Sequence, residues 1–205
     1  MTGYELVVLS ADLDIEGVMR TLLGSRAPAL GIRAPRARYV RHPQKDPGCF
    51  TRPEAVLGSP SLAERALVVF DKAFGGSPDA DPSRMASIAE DRLRAIWGDR
   101  ARAVVIAPEV EVWLWAGHHT AQALQWHEGY PDLRRWLSSQ NLWAEGAMKP
   151  SDPKEAFRRV LARRSPGPSH GIFQEVALRA SVDSCVDESF DRLRRILRSW
   201  FPLES

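Results

Sequence analysis

The sequence predicts an α/β protein in which a mainly parallel sheet of four or more strands is flanked by helices and followed by a helical C-terminal part. Three largely apolar runs of five residues each, at 5–9, 66–70 and 103–107, support this prediction. Such runs are typical of strands that are buried on both faces of a sheet. Segments long enough for a helix separate them, which favours βα units joined by right-handed crossovers.

The first half of the chain alternates between strand and helix signals. After the first strand, residues 14–23 place apolar side chains at helical spacing, and Gly24 is a typical stop for that helix. The short alternating segment 38–41 predicts a second strand that could form an edge of the sheet. Residues 42–60 contain four prolines and two glycines, so we expect an extended loop there with at most one helical turn.

The second half is expected to be mainly helical after one more strand. Asp81 or Ser83 is a typical first residue for a helix that runs to Trp97, and the strand at 103–107 follows. Pro108 suits the first position of the next helix, because proline lacks the N–H that a helix start leaves unpaired. Three further helices are expected at about residues 153–164, 170–180 and 188–200.

Length and composition indicate one compact unit of an ordinary globular protein. The chain has 205 residues, of which 44% are hydrophobic and 26% are charged, and this balance excludes a disordered chain. We expect residues 1–116 to form the α/β core and residues 117–205 to pack on it as a helical extension. The formal net charge of +2 does not by itself indicate a nucleic-acid-binding protein.

The sequence favours a cytoplasmic protein with no membrane partner. Cys49 and Cys185 lie far apart, without the spacing of a metal site or of a disulfide framework. The first residues show no basic segment leading into an apolar one, as a secretory signal would. No apolar run approaches the roughly 20 residues that a membrane-spanning helix needs.

Acidic residues follow three of the predicted strands. Asp12 comes after the first strand, Asp71 after the third, and Glu109 and Glu111 after the fourth. The carboxyl ends of parallel strands meet at one edge of a sheet, where ligands usually bind, so these carboxylates could share one Mg²⁺ ion. Acidic residues in these positions are also typical of helix starts, where they cap the helix or favour its N-terminus.

Two other groups of residues have two interpretations each. Five of the seven tryptophans lie between Trp113 and Trp143, and their spacing favours core packing over stacking on nucleic-acid bases. Arginines form basic faces on the helices predicted at 153–164 and 188–200. These faces could hold a phosphate backbone, although the acidic residues between the arginines favour a surface whose charges pair with one another.

Five segments of the chain together resemble a known family. They are residues 10–16, 41–49, 67–72, 108–113 and 200–202, and the resemblance covers nearly the whole chain. In these segments the sequence is similar to the bacterial methylation-associated defence system protein family, whose members are accessory components of anti-phage operons. The family in turn looks distantly similar to TOPRIM-like nuclease and primase domains. The resemblance implies a TOPRIM-like core, with other proteins of a defence operon as partners and DNA or RNA as a further ligand.

The resemblance implies a site that is only partly preserved. A TOPRIM domain uses a Glu after its first strand as acid or base, and Asp12 stands near that position without matching it. It uses an Asp-x-Asp pair after a later strand as metal ligands. Asp71 matches the first Asp of that pair, whereas Ala73 takes the place of the second. The missing carboxylate counts against metal-dependent catalysis.

The first functional hypothesis is enzymatic. The protein is a Mg²⁺-dependent, TOPRIM-like phosphodiesterase that acts in phage defence. In that case Asp12, Asp71 and Glu111 hold the metal. Either Glu16 or Glu109 supports these ligands or acts as the general base.

The second hypothesis is a catalytically silent TOPRIM-like module that binds protein partners or nucleic acid in the defence complex. Lys72 directly follows Asp71, and if it neutralised Asp71 it would compete directly with a cation there; the sequence leaves this alternative open. In a third hypothesis the protein is a structural subunit, and all its acids are caps or surface groups. The candidate contact residues of the second hypothesis are Arg41, His42, Lys45 and Lys72.

Overall fold

The protein is built on one sheet of four parallel strands. The structure is a computed structural model that describes residues 3–115, 119–163, 171–179 and 185–203. All neighbouring strands in the sheet are parallel, which confirms the predicted α/β class and the parallel sheet flanked by helices. The strands are β1 (Leu6–Ser10), β2 (Ala37–Arg41), β3 (Arg65–Asp71) and β4 (Ala101–Ile106), in the order β2-β1-β3-β4.

Helices surround the sheet and dominate the C-terminal half. Asp12 and Asp81 cap the two helices predicted in the first half, and Gly24 ends the first of them as expected. The helix predicted at 188–200 has these bounds in the structure. The α-helices of the described residues are α1 (Leu13–Leu23), α2 (Lys45–Thr51), α3 (Pro82–Trp97), α4 (Glu111–Leu114), α5 (His119–Ala123), α6 (Tyr130–Ser139), α7 (Pro153–Ala162), α8 (Gly171–Arg179) and α9 (Glu188–Trp200).

The order of the strands creates a switch point between β1 and β3. The chain moves from β1 to β2 in one direction, then passes back over β1 to β3 and on to β4. Because such crossovers are right-handed, α1 lies on one face of the sheet, and α2 and α3 lie on the other. In agreement, α2 and α3 contact each other. The crevice at the carboxyl ends of β1 and β3 is where open α/β sheets usually bind ligands.

The C-terminal helices cover the core from two sides. α8 packs against α1, where a β-carbon added to Gly17 would lie 2.9 Å from Cγ of Gln174. α9 packs along β4. There the N–H of Ala103 donates to Glu90, and the carbonyl of Ala103 accepts from Arg192. Glu90 and Arg192 also form an ion pair of 2.7 Å, so side chains occupy both backbone hydrogen-bonding groups of Ala103 on this edge strand.

The described part of the helical extension contacts the core through α7, α8 and α9. The domain boundary predicted between residues 116 and 117 lies outside the described residues, as do the predicted helix ends at 164, 170 and 180. No helix in the described ranges is both long and apolar enough to cross a lipid bilayer.

The hydrophobic core follows the predicted strands. Every residue of β1 is buried, and so are the apolar residues of β3 and β4. In the tryptophan-rich region, Trp113, Trp115 and Trp143 are buried, whereas Trp126 and Trp136 are half-buried. The interpretation of this region as core is therefore confirmed for the first three.

Two local predictions are wrong. Residues 42–60 are not an extended loop, because α2 and a 3₁₀ turn at Pro53–Ala55 lie within them. Pro47 is tolerated because it lies in the first turn of α2, where N–H groups have no helical partner. Pro108 does not start a helix. Its carbonyl accepts from the N–H of Ala73, and α4 begins only at Glu111.

Candidate functional site

Asp71 ends β3 at the switch point and is almost fully buried. Its exposed fraction is 8%. Its Oδ1 atom has no hydrogen-bond partner among the described residues. Burying a carboxylate oxygen without a partner costs stability, and such atoms are rare in folded proteins. The burial of this unpaired carboxylate oxygen at the switch point therefore indicates a functional role for Asp71.

A second carboxylate contacts Asp71 from α2. The Oδ1 atom of Asp46 accepts a hydrogen bond of 2.9 Å from the backbone N–H of Asp71. This contact fixes the start of α2 over the end of β3. Sequence reasoning missed Asp46, because it treated residues 42–60 as a loop with basic contacts. The signal that could have found it is that Asp46 is the only acidic residue between positions 17 and 53.

Glu111 and Glu109 complete the acidic group on the side of β4. Glu111 is the first residue of α4, and only 6% of it is exposed. Glu109 is half-buried, and its Oε1 atom accepts a hydrogen bond of 2.5 Å from Nζ of Lys154. We call the following five residues the strand-end cluster: Asp12, Asp46, Asp71, Glu109 and Glu111.

Lys154 places a positive charge at the strand-end cluster from the helical extension. α7 is fixed there by the indole N–H of Trp115, which donates to the carbonyl of Pro153 at 2.9 Å. The sequence left open whether Lys72 neutralises Asp71 and so competes with a cation at this edge. The lysine that pairs with the cluster is Lys154 instead. Sequence reasoning missed this residue, since no local pattern connects it with the strand ends.

Burial and mutual repulsion raise the pKa values of three carboxyl groups in the cluster. Burial raises the pKa of Asp71 well above its ordinary range, and neighbouring carboxylates, first of all Asp46, raise it further. Burial also raises the pKa of Asp46 and that of Glu111, from 4.5 to about 7. These groups hold protons more tightly than exposed carboxyl groups do. The cluster therefore favours the binding of a proton or a cation.

Asp12 lies at the cluster and also caps α1. Its Oδ1 atom accepts from the N–H groups of Asp14 at 3.0 Å and Ile15 at 2.9 Å. This is the alternative role that the sequence left open. Its charge still acts on Asp71. Asp12 thus contributes to the electrostatics of the cluster while one of its oxygens stabilises the helix start.

Glu16 lies beside β2 rather than at the cluster. Its Oε1 atom pairs with Arg20 at 2.8 Å, and its Oε2 atom pairs with Arg41 at 3.0 Å. The charges that act most on Asp71 come from other carboxylates. Of the two predicted bases, the structure therefore places Glu109 at the cluster and Glu16 outside it.

The basic residues predicted to contact a partner have different surroundings. His42 is buried and holds the turn before α2, since its Nδ1 accepts from the N–H of Gln44 at 3.1 Å. Its Nε2 lies 3.2 Å from the carbonyl oxygen of Arg52, which makes Nε2 the protonated nitrogen. The side chain of His42 is thus used within the fold. The others remain accessible: Arg41 and Lys45 are exposed, and Lys72 is half-buried.

Gly48→Ala should destabilise the protein, because the buried ring of His42 occupies the space of a side chain at position 48. A β-carbon there would lie 1.9 Å from Nδ1 of His42. We expect a loss of about 1–3 kcal/mol in the free energy of unfolding, measured by chemical denaturation. In a His42→Ala background the same substitution should cost much less. Equal costs in both backgrounds would contradict this explanation.

The donor chemistry of the cluster fits a hard divalent cation. Mg²⁺ takes oxygen ligands, usually one or two carboxylates together with waters and phosphate oxygens. Asp71 offers a buried oxygen without a hydrogen-bond partner in the described structure. Within the described ranges, no three His, Cys, Asp or Glu side chains stand close enough together to enclose a metal ion. A cation at the cluster would therefore take no more than two of these side chains and would complete its coordination with water and substrate.

A large groove lies beside the cluster rather than over it. Its volume is about 1050 Å³, and residues of α3, β4 and α9 line it. Four acidic and four arginine side chains face it, so its charges balance. On α9, Arg194 pairs with Asp191. On α7, Glu155 pairs with two arginines. The interpretation of these basic helical faces as internally paired surfaces is confirmed for these contacts.

Comparison with known proteins gives no relative whose role could be transferred to this chain. No protein-family model matches the sequence, and no curated protein or solved structure matches it significantly. The resemblance to the defence family stays a prediction that rests on the five segments named above. The strand-end cluster itself is therefore the basis for a functional assignment.

Proposed function

We propose that the strand-end cluster binds Mg²⁺ and that the protein uses it to cleave phosphodiester bonds. The observation that supports this most is the buried Oδ1 atom of Asp71, which has no partner among the described residues at the switch point. A divalent cation would supply the missing contact and would stabilise the ionised forms of the neighbouring carboxyl groups. A purely structural role gives no reason to keep an acid there, because an apolar or amide side chain would cost less.

The residues of the cluster would have different roles in catalysis. Asp71, with one of its neighbours Asp46 or Glu111, would hold the cation together with water molecules. The bound cation would polarise a phosphoryl oxygen and lower the pKa of bound water. Glu109 is half-buried and is the candidate general base. Lys154, whose side chain is 57% exposed, is placed to contact a phosphate oxygen of the substrate.

The same proposal includes a TOPRIM-like core and a role as an accessory protein of a methylation-associated anti-phage defence system. Two things support it: the resemblance of five segments to that family, and the acids that follow β1, β3 and β4. Asp12 and Asp71 lie near the positions of the TOPRIM acids, whereas Ala73 departs from the pattern. The partners would be other proteins of the defence operon and nucleic acid.

The alternative is a catalytically silent module that binds protein partners or nucleic acid in the defence complex. Ala73 favours it, because a TOPRIM domain has its second metal-binding Asp at this position. The spacing of the potential ligands in the described structure also favours it. In this case Lys154, which pairs with Glu109, offsets part of the negative charge of the cluster in place of a metal.

Metal binding and hydrolysis separate the two functions. We expect isothermal titration calorimetry to show saturable binding of Mg²⁺ and Mn²⁺. We also expect the purified protein to degrade DNA or RNA only when one of these ions is present, with EDTA as the control. Bound metal should raise the melting temperature by mass action. If neither ion binds, the metal-dependent function is wrong and the silent module is favoured.

Lys154→Gln should strengthen Mg²⁺ binding roughly tenfold, because the substitution removes a positive charge that competes with the cation at close range. Calorimetry measures the change directly. Lys149→Gln is the matched control, since Lys149 pairs with Asp187 outside the cluster, and it should leave the affinity unchanged. An unchanged affinity in Lys154→Gln would show that Lys154 does not compete with the metal.

A further inference from the structure

Positive charge is concentrated in one stretch of the chain. Residues 17–53 contain eight basic side chains and one acidic side chain, Asp46. The whole chain has a formal net charge of only +2. The small overall charge therefore conceals a strong local excess of positive charge.

Much of this charge lies along β2, which is an edge strand of the sheet. Arg36 directly precedes β2, Arg38 is exposed within it, and Arg41 ends it. The side chains of Arg36 and Arg41 are 69% and 49% exposed. We call the following five residues the β2 basic strip: Arg20, Arg33, Arg36, Arg38 and Arg41.

Four arginines of the β2 basic strip share two carboxylates. Glu5 pairs with Arg33 at 2.7 Å and with Arg36 at 3.8 Å. Glu16 forms ion pairs with Arg20 and Arg41 near the carboxyl end of β2. Glu16 offsets only one of its two guanidinium charges, so one positive charge remains there, and Arg38, which forms no ion pair among the described residues, adds a second. The strip thus differs from the groove between α3 and α9, where the charges balance.

The β2 basic strip ends at the strand-end cluster. Arg41 lies opposite Ser10 in the register of β1 and β2, and Asp12 follows Ser10 at the same edge of the sheet. The five residues of β2 span roughly 16 Å at the usual rise of a strand. A negatively charged polymer bound along β2 would therefore extend to the strand-end cluster.

We propose that the β2 basic strip binds the phosphate backbone of a single nucleic-acid strand and directs a phosphodiester bond to the strand-end cluster. Carboxylates repel phosphate, and the arginines offset this repulsion along the approach. Guanidinium groups bind phosphate oxygens through paired hydrogen bonds. Side chains alternate along a strand, so Arg36 and Arg38 lie on one face of β2 and Arg41 lies on the other, and a phosphate chain along the open edge would be flanked from both sides. The delivery to the cluster rests on the proposed function, whereas the binding by the strip does not.

Binding measured without metal tests the strip separately from the cluster. Fluorescence anisotropy of a labelled single-stranded DNA of about 20 nucleotides, titrated in EDTA at several NaCl concentrations, gives the slope of log affinity against log salt. The variant Arg36→Gln/Arg38→Gln/Arg41→Gln should bind more weakly. Its slope should be shallower by about 2, because each lost phosphate contact with a single strand changes the slope by roughly 0.7.

The matched control removes the same charge elsewhere. Arg92→Gln/Arg94→Gln/Arg135→Gln changes three exposed arginines on α3 and α6 and should keep the wild-type slope. Equal weakening in both triple variants, or no binding by the wild-type protein at low salt, would overturn the proposal. Stronger competition by poly-glutamate than by unlabelled DNA would also overturn it, in favour of an acidic protein partner. Because these titrations contain no metal, failed metal binding in calorimetry leaves their result unaffected.

Discussion

Asp71→Asn should abolish saturable Mg²⁺ binding and also raise the melting temperature of the metal-free protein. Asparagine keeps the shape of Asp71 but lacks the charge that holds a divalent cation. It also removes the cost of burying a carboxyl group whose pKa burial raises well above the ordinary range. We expect at least a hundredfold loss of affinity, on the order of 3 kcal/mol, and a gain of about 3 °C in melting temperature. If Asp71 were needed only for the fold, its replacement would instead lower the stability of the protein.

Calorimetry with Mg²⁺ and Mn²⁺ measures the first effect, and thermal denaturation in EDTA measures the second. Asp99→Asn is the matched control, because Asp99 is exposed and lies before β4, at the opposite edge of the sheet. The control should change neither quantity. If Asp71→Asn bound Mg²⁺ with wild-type affinity, Asp71 would not be a ligand, and the proposed site would be wrong.

The wild-type protein should lose stability as the pH rises from acidic to neutral, and Glu111→Gln should abolish this loss. Burial raises the pKa of Glu111 from 4.5 to about 7 in the folded protein. The folded state therefore holds this proton more tightly than the unfolded chain does. The resulting stabilisation is fully present below about pH 4.5 and is lost as the pH rises through about 7. At about 1.4 kcal/mol for each pKa unit, the loss is about 3 kcal/mol.

Urea denaturation in EDTA, repeated between pH 4 and pH 8, measures this effect. Relative to Glu111→Gln, the wild-type protein should lose stability as the pH rises, since glutamine does not ionise. Glu64→Gln changes an exposed acid just before β3 and should keep the wild-type profile. Parallel profiles of the wild-type protein and Glu111→Gln would show that Glu111 does not retain its proton in the folded state.

The sheet and its acidic edge could be predicted because buried parallel strands leave a strong local pattern. β1 and β3 are continuous apolar runs, and an acid ends or closely follows each of them. Chain order alone then places Asp12 and Asp71 at the same edge. α9 could be predicted with its bounds for a similar reason. Asp187 caps it, and its buried residues repeat at helical spacing.

Asp46 and Lys154 were not predicted as members of the site, because each contacts the cluster through packing between distant parts of the chain. Asp46 depends on α2, whose Pro47 and Gly48 are residues typical of loops. Gly48 is present there because His42 packs against it, which only the folded structure reveals. Lys154 depends on how α7 packs against the core. No local pattern indicates which lysine of the extension approaches the sheet.

The two edges of the sheet resist aggregation by different means. At β4, a strand from a second molecule would have to displace Glu90 and Arg192 from Ala103 and separate their ion pair. Such an addition would lose hydrogen bonds before it gained new ones. At β2, a second copy in the same orientation would bring arginines against arginines. The sheet is thus protected by occupied backbone groups on one side and by electrostatic repulsion on the other.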